Sequence, residues 1–189
     1  SIGAAIRLRN VTFEDPVTFD RLVFTGPVRI TKSTFERGIS MLDGRFEQKV
    51  SFTKSSFGGH ATFKRTHFSQ AARFVDIVSN GMMSFSGAVF GETTDFTRAQ
   101  FLQPAYFDQA AFSSTTSFQD VTFGLESSFK ETHWSNDVDF AGTRFGAQTL
   151  FRYARFSGIA TFDRSRFRGE VFFDKARFER PVSFREITF

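Results

Sequence analysis

Large apolar residues recur along this chain in steps that alternate between six and five positions. From Phe46 they fall at Phe52, Phe57, Phe63, Phe68 and Phe74, and they resume at Phe85, Phe90, Phe96, Phe101, Phe107 and Phe112. The true period is eleven, and it runs without a slip from Ile2 to Phe189. A second apolar or small residue stands two positions before each lattice residue: Val50, Ala61, Ala72 and Met83 in one series, Ser55, Thr66, Ile77 and Ala88 in the other. Residues two apart on an extended segment point to the same side, so each short segment turns one small and one large side chain inward. The intervening positions carry nearly all the charge, as in the column Lys54, Arg65, Asp76, Arg98, Asp120 and Glu131. The pattern predicts short strands joined by tight corners.

The breakers obey the same lattice. Pro16, Pro27, Pro104 and Pro181 share one column, and 13 of the 14 Gly lie between a lattice residue and the next small inward position. Pro fixes φ and gives up a donor, and Gly tolerates positive φ, so both belong where the chain bends. An amphipathic helix is excluded, because a mean step of about 5.5 residues matches neither the 3.6 nor the 3.5 period of a helical face.

At these residues the sequence resembles the pentapeptide-repeat family, whose unit is a small residue, a polar residue, Leu or Phe, then two polar or turn residues. Ala61-Thr62-Phe63-Lys64-Arg65, Thr94-Asp95-Phe96-Thr97-Arg98 and Ala160-Thr161-Phe162-Asp163-Arg164 carry the likeness. It implies an all-β fold, a right-handed quadrilateral β-helix (β-solenoid) of about 22 residues per coil and roughly 8 to 9 coils, with residues 1–189 forming one domain. The sixth residue in every second step and the nearly all-Phe centre depart from the family's usual unit, and they leave the turn types and the squareness of the coil open.

Stacking at about 4.8 Å, the distance between paired strands, would lay ring on ring in continuous columns. Composition fits such a core: 30 of 189 residues are Phe, and 29 of them lie on the lattice, Phe172 being the exception. Ser79 is the lattice's sole polar occupant. Two outcomes are expected there: Val78 rotates in to replace it, or its hydroxyl is satisfied by backbone.

The chain has no Cys, which removes disulfides, thiolate nucleophiles and zinc-thiolate sites. No apolar run is long enough to span a bilayer as a helix. The opening Ser1-Ile2-Gly3 carries no basic and apolar leader; the expectation is a cytoplasmic domain of a longer bacterial chain. Three His are present, and His67 and His133 share a column 66 residues apart, about 14 Å on the expected coil, too far to share a metal. No nucleophile elbow, phosphate loop or metalloprotease helix is found. No enzyme activity, cofactor or metal is expected.

Three surface features rise above this background. Residues 138–189 hold ten basic and six acidic side chains, so the whole formal charge of +4 sits in the last quarter. There Arg144, Arg155, Arg166 and Arg177 share one column, with Arg144 expected over Arg166 on one wall and Arg155 over Arg177 on the opposite wall; they are candidates for anion binding, set against a solvated face interleaved with Asp163, Glu170, Asp174 and Glu179. Tyr106, Ser128, Leu150 and Phe172 form an outward column whose apolar members, Tyr106, Leu150 and Phe172, are candidates for an interface stripe. Phe184 and Phe189, the last lattice rings, are candidates for an end cap or an end-to-end homodimer contact, or for cover by a flanking domain.

The function expected is a rigid, non-enzymatic scaffold that binds a partner protein through its walls or ends. The resemblance implies an alternative, since some pentapeptide-repeat proteins act on DNA gyrase by imitating duplex DNA. That mimicry requires a strongly acidic surface, and the sequence pI of about 9.8 argues against it. A second alternative is anion or nucleic-acid binding by the basic C-terminal end. Outward aromatic platforms for bases are lacking, so nucleic acid is not the partner expected first.

Overall fold

The computed structural model describes residues 1–189, which form 33 short parallel strands arranged in one nine-stranded and three eight-stranded sheets. Each strand pairs with the strands one coil before and after it, in a register of 22 residues, as Phe46 with Phe68, Phe68 with Phe90 and Phe90 with Phe112. The four sheets are the walls of a square coil. Taken in chain order, the first wall carries Phe52 and Phe74, the second Phe57 and Phe101, the third Phe63 and Phe85, and the fourth Phe68 and Phe90.

The two step lengths make two kinds of corner. In the five-residue step the chain turns through Phe52-Thr53-Lys54-Ser55, closed by the Ser55 N–H donating to the Phe52 carbonyl at 3.1 Å, with Lys54 at φ 59°. Positive φ at the third residue alone is the signature of a type II turn. The same column is left-handed at every eleventh position from Asn10 to Glu186, and only Gly87 and Gly142 relieve it with glycine. In the six-residue step the extra residue rounds the corner with ordinary backbone except at Gly38, where φ is +92° and an added Cβ would lie 2.0 Å from the His60 carbonyl oxygen of the next coil. The departure from a five-residue unit is therefore a second corner type that leaves the coil four-sided.

The lattice residues fill the interior. Phe63, Phe85, Phe107 and Phe129 are fully buried and stack face to face at 5.0, 5.1 and 5.0 Å. Rings of the first wall meet rings of the third edge-on, in a staircase that climbs eleven residues at a time: Phe74 to Phe85 at 5.0 Å, Phe85 to Phe96 at 5.3 Å, Phe96 to Phe107 at 5.4 Å. Stacked and edge-to-face pairs are the two favoured aromatic geometries, each adding about 0.5–1.5 kcal/mol beyond the area buried.

Small inward hydroxyls close what the rings leave open. Thr66, Thr132 and Thr143 are fully buried and donate to the carbonyls of Met41, Phe107 and Phe118 in the preceding coil, at 2.6, 2.9 and 2.6 Å. These bonds satisfy polar groups that burial would otherwise penalise.

At Ser79 the second expected outcome holds. The side chain points inward, fully buried, and donates to the Gly81 carbonyl at 2.8 Å, while Val78 stays on the outer face. The missing ring interrupts the second wall's column. The bulkiest occupants of the small inward columns between residues 44 and 182, Ile77 and Met83, flank it in sequence and are both buried.

Candidate interaction surface

With the interior filled, chemistry is confined to the outward side chains, and the 22-residue register decides which of them meet. Along the corners, opposite charges one coil apart pair: Arg65 with Asp43 at 2.6 and 2.9 Å, Arg98 with Asp76 at 2.7 and 3.1 Å, Arg152 with Asp174 at 3.0 Å. The Arg65 guanidinium holds the Asp43 carboxyl below its ordinary pKa, and Arg98 does the same to Asp76. Other carboxylates tie coil to coil. Asp20 and Asp108 each accept from a serine hydroxyl and a backbone N–H of the following coil, Ser40 and Leu42 in one case, Ser128 and Lys130 in the other. Asp163 accepts from Ser183 and from the Arg185 N–H, and these two bonds lower its pKa.

The arginine column lies where its spacing places it. Arg144 pairs in register with Arg166 on the second wall, and Arg155 with Arg177 on the fourth. Their surroundings differ. Arg155 is held by Glu179 at 2.6 Å, whereas no carboxylate oxygen lies within 4.0 Å of Arg144 or Arg166. One more pair of arginines, Arg7 and Arg29, stands in register on the first wall.

The outward column on the third wall is in register as well, Tyr106 with Ser128, Ser128 with Leu150 and Leu150 with Phe172. Its apolar members are largely covered. Leu150 is 7% exposed, and the Arg152 guanidinium lies 4.5 Å over the half-buried Phe172 ring. A flat wall shields a side chain between neighbours above and below, which outward register alone does not reveal. Freely exposed apolar side chains sit at corners instead, Leu102 and Leu125 among them, and at the last coil, where Phe184 is 38% and Phe189 79% exposed.

A grouping that sequence spacing missed lies on the fourth wall. His133 Nε2 is 3.3 Å from the Ser157 hydroxyl, and the same hydroxyl, with Arg155, lowers the pKa of Glu179. Residues 24 and 46 positions apart meet only through coil stacking, so the one signal was the 22-residue period itself. The carboxylate accepts from the Arg155 guanidinium at 2.7 Å and makes no hydrogen bond to the imidazole. A serine nucleophile needs the reverse order, with the acid orienting the histidine and the histidine taking the hydroxyl proton. The arrangement locks the wall; it does not activate Ser157. His67 stands higher on this wall between Arg45 and Val89, and burial together with Arg45 pushes its pKa down.

Two comparisons with known proteins return matches. The family description "Pentapeptide repeats" matches residues 85–132 and 151–189, with nine copies of its unit. Among solved structures the chain is similar to HetL, a pentapeptide repeat protein involved in heterocyst differentiation regulation from the cyanobacterium Nostoc sp. strain PCC 7120; identity is 13%, with 91% of this chain and 86% of that chain covered and a TM-score of 0.28. No curated protein sequence matches.

Proposed function

Because this chain carries pentapeptide repeats of the matched family, we propose that it serves as a non-enzymatic scaffold, a rigid rod that holds a partner protein against its walls or ends. One observation carries this reading: rings stacked from Phe24 to Phe178 on the fourth wall, at 4.5–5.8 Å from one coil to the next and fully buried as far as Phe156, leave outward side chains at fixed intervals and the end rings as the working surface. A stiff support of this kind loses little conformational freedom on binding, which favours association through preorganisation. Mimicry of duplex DNA is the weaker reading, since two walls end in paired arginines where an imitation of duplex would present acids. No helix of the structure is long and apolar enough to cross a membrane, and we place the scaffold in the cytoplasm.

The test is capture with wall variants. Charge-reversed substitutions confined to one wall, made in protein whose circular dichroism is unchanged, should release a bound protein partner when placed on one wall and leave it bound when placed on the others. Release by substitutions on every wall alike, or a turnover activity that survives purification and follows the protein through them all, would refute the proposal.

A further inference from the structure

The second wall changes character along its length. Its outward strand residues are Thr12, Thr34, Ser56, Val78, Gln100 and Thr122, none of them charged, and then Arg144 and Arg166 follow in register. Like charges directly opposite on paired strands repel. On the first wall the register answers Arg73 with Asp95. Here it does not, and the residues flanking the last strand add more: Arg164, at the left-handed corner before it, and Arg168, just after it, are both exposed.

Three of the four acids interleaved in this stretch of sequence are committed elsewhere, and the fourth, Glu170, forms no ion pair. Asp174 pairs with Arg152, Glu179 with Arg155, and Asp163 accepts from Ser183 and the Arg185 N–H. None of Arg144, Arg164, Arg166 and Arg168 has a carboxylate within 4.0 Å. The result is a small cluster of arginines, Arg144 and Arg166 on strands paired at about 4.8 Å with Arg164 and Arg168 beside them, in which no guanidinium is ion-paired.

We propose that this cluster binds the phosphodiester backbone of a nucleic-acid duplex, without reading sequence. Guanidinium forks match phosphate oxygens two at a time. The wall's outward residues include no aromatic ring on which an unpaired base would stack, so the backbone of a duplex fits it better than a single strand. This goes beyond the scaffold reading and does not depend on it, because the other three walls stay free for a protein.

The experiment is fluorescence anisotropy of a labelled short DNA duplex titrated with the whole chain over a salt series. With four phosphates neutralised, the slope of log affinity against log salt should be about −3.6, a loss of about a hundredfold between 50 and 200 mM salt. The double variant Arg144→Ser/Arg166→Ser should weaken binding at low salt and make the slope shallower by about 2. Arg7→Ser/Arg29→Ser removes the same charge from the first wall and should leave both quantities unchanged. Unaltered emission from the buried Trp134 certifies that each variant is folded. The proposal falls if the duplex does not bind at low salt, if both double variants lose affinity equally, or if phosphatidylserine vesicles are bound while the duplex is not.

Discussion

Phe107 and Phe118 meet edge to face, their ring centroids 5.3 Å apart at 89°. Each also lies flat within its own column, Phe107 between Phe85 and Phe129, and Phe118 between Phe96 and Phe140. Both rings are thus held from above, from below and across the axis. Phe107→Ala removes contacts in all three directions and should cost about 3–5 kcal/mol, the range for a buried aromatic truncated to a methyl group. Urea unfolding followed by Trp134 emission measures it; a loss below 1 kcal/mol would mean that the column closes over the gap.

Ser79 and Met83 should be energetically coupled. Ser79→Phe alone overfills the coil and is expected to destabilise it by about 1–3 kcal/mol. In Ser79→Phe/Met83→Ala the ring takes back the space that Met83 occupies, so the pair should be more stable than the sum of its parts by at least about 1 kcal/mol. Simple additivity in a double-mutant cycle would show that the two side chains do not share volume.

Lys54 holds a left-handed φ of 59° that its Cβ disfavours. Lys54→Gly should therefore be more stable than Lys54→Ala by about 1 kcal/mol, even though glycine loses more freedom on folding. Equal denaturation midpoints for the two variants would contradict the turn assignment.

Acid should weaken the rod in two steps. His67, its pKa lowered by burial and by Arg45, stabilises the fold fully above the ordinary histidine pKa near 6.5 and loses that contribution as pH falls through the lower native value. Asp43 and Asp76, lowered by their arginine partners, contribute above the unfolded carboxylate pKa near 4 and lose it below. Urea midpoints taken from pH 8 to pH 2 should show both declines. His67→Gln should erase the first and Asp43→Asn/Asp76→Asn should shrink the second; a wild-type profile in either variant would reject that assignment.

Much of the fold was legible because the inward columns are chemically extreme. A Phe every eleventh position in two interleaved series leaves one way of burying the rings, and Phe63, Phe85 and Phe107 all lie where that logic puts them. The left-handed corners were hidden, because Lys54, Arg98 and Glu131 occupy positions where glycine would have announced the turn. Register was also legible, which is why Arg144 over Arg166 could be anticipated. Partner choice among side chains was not: Asp163 lies beside Arg164 in sequence, yet its oxygen accepts from Ser183 and the Arg185 N–H one coil away. Coverage of Leu150 and Phe172 depended on the same lateral neighbours, above all Arg152 reaching across the Phe172 ring.

Because each interior strand bonds only to its counterparts 22 residues away, adding or deleting one whole turn would alter environments only at the junction, whereas a single inserted residue would rotate all that follows out of step. Such an architecture behaves as a graduated ruler. Evolution could set the distance between whatever is attached at its ends in increments of about 4.8 Å, refitting only the contacts at one junction.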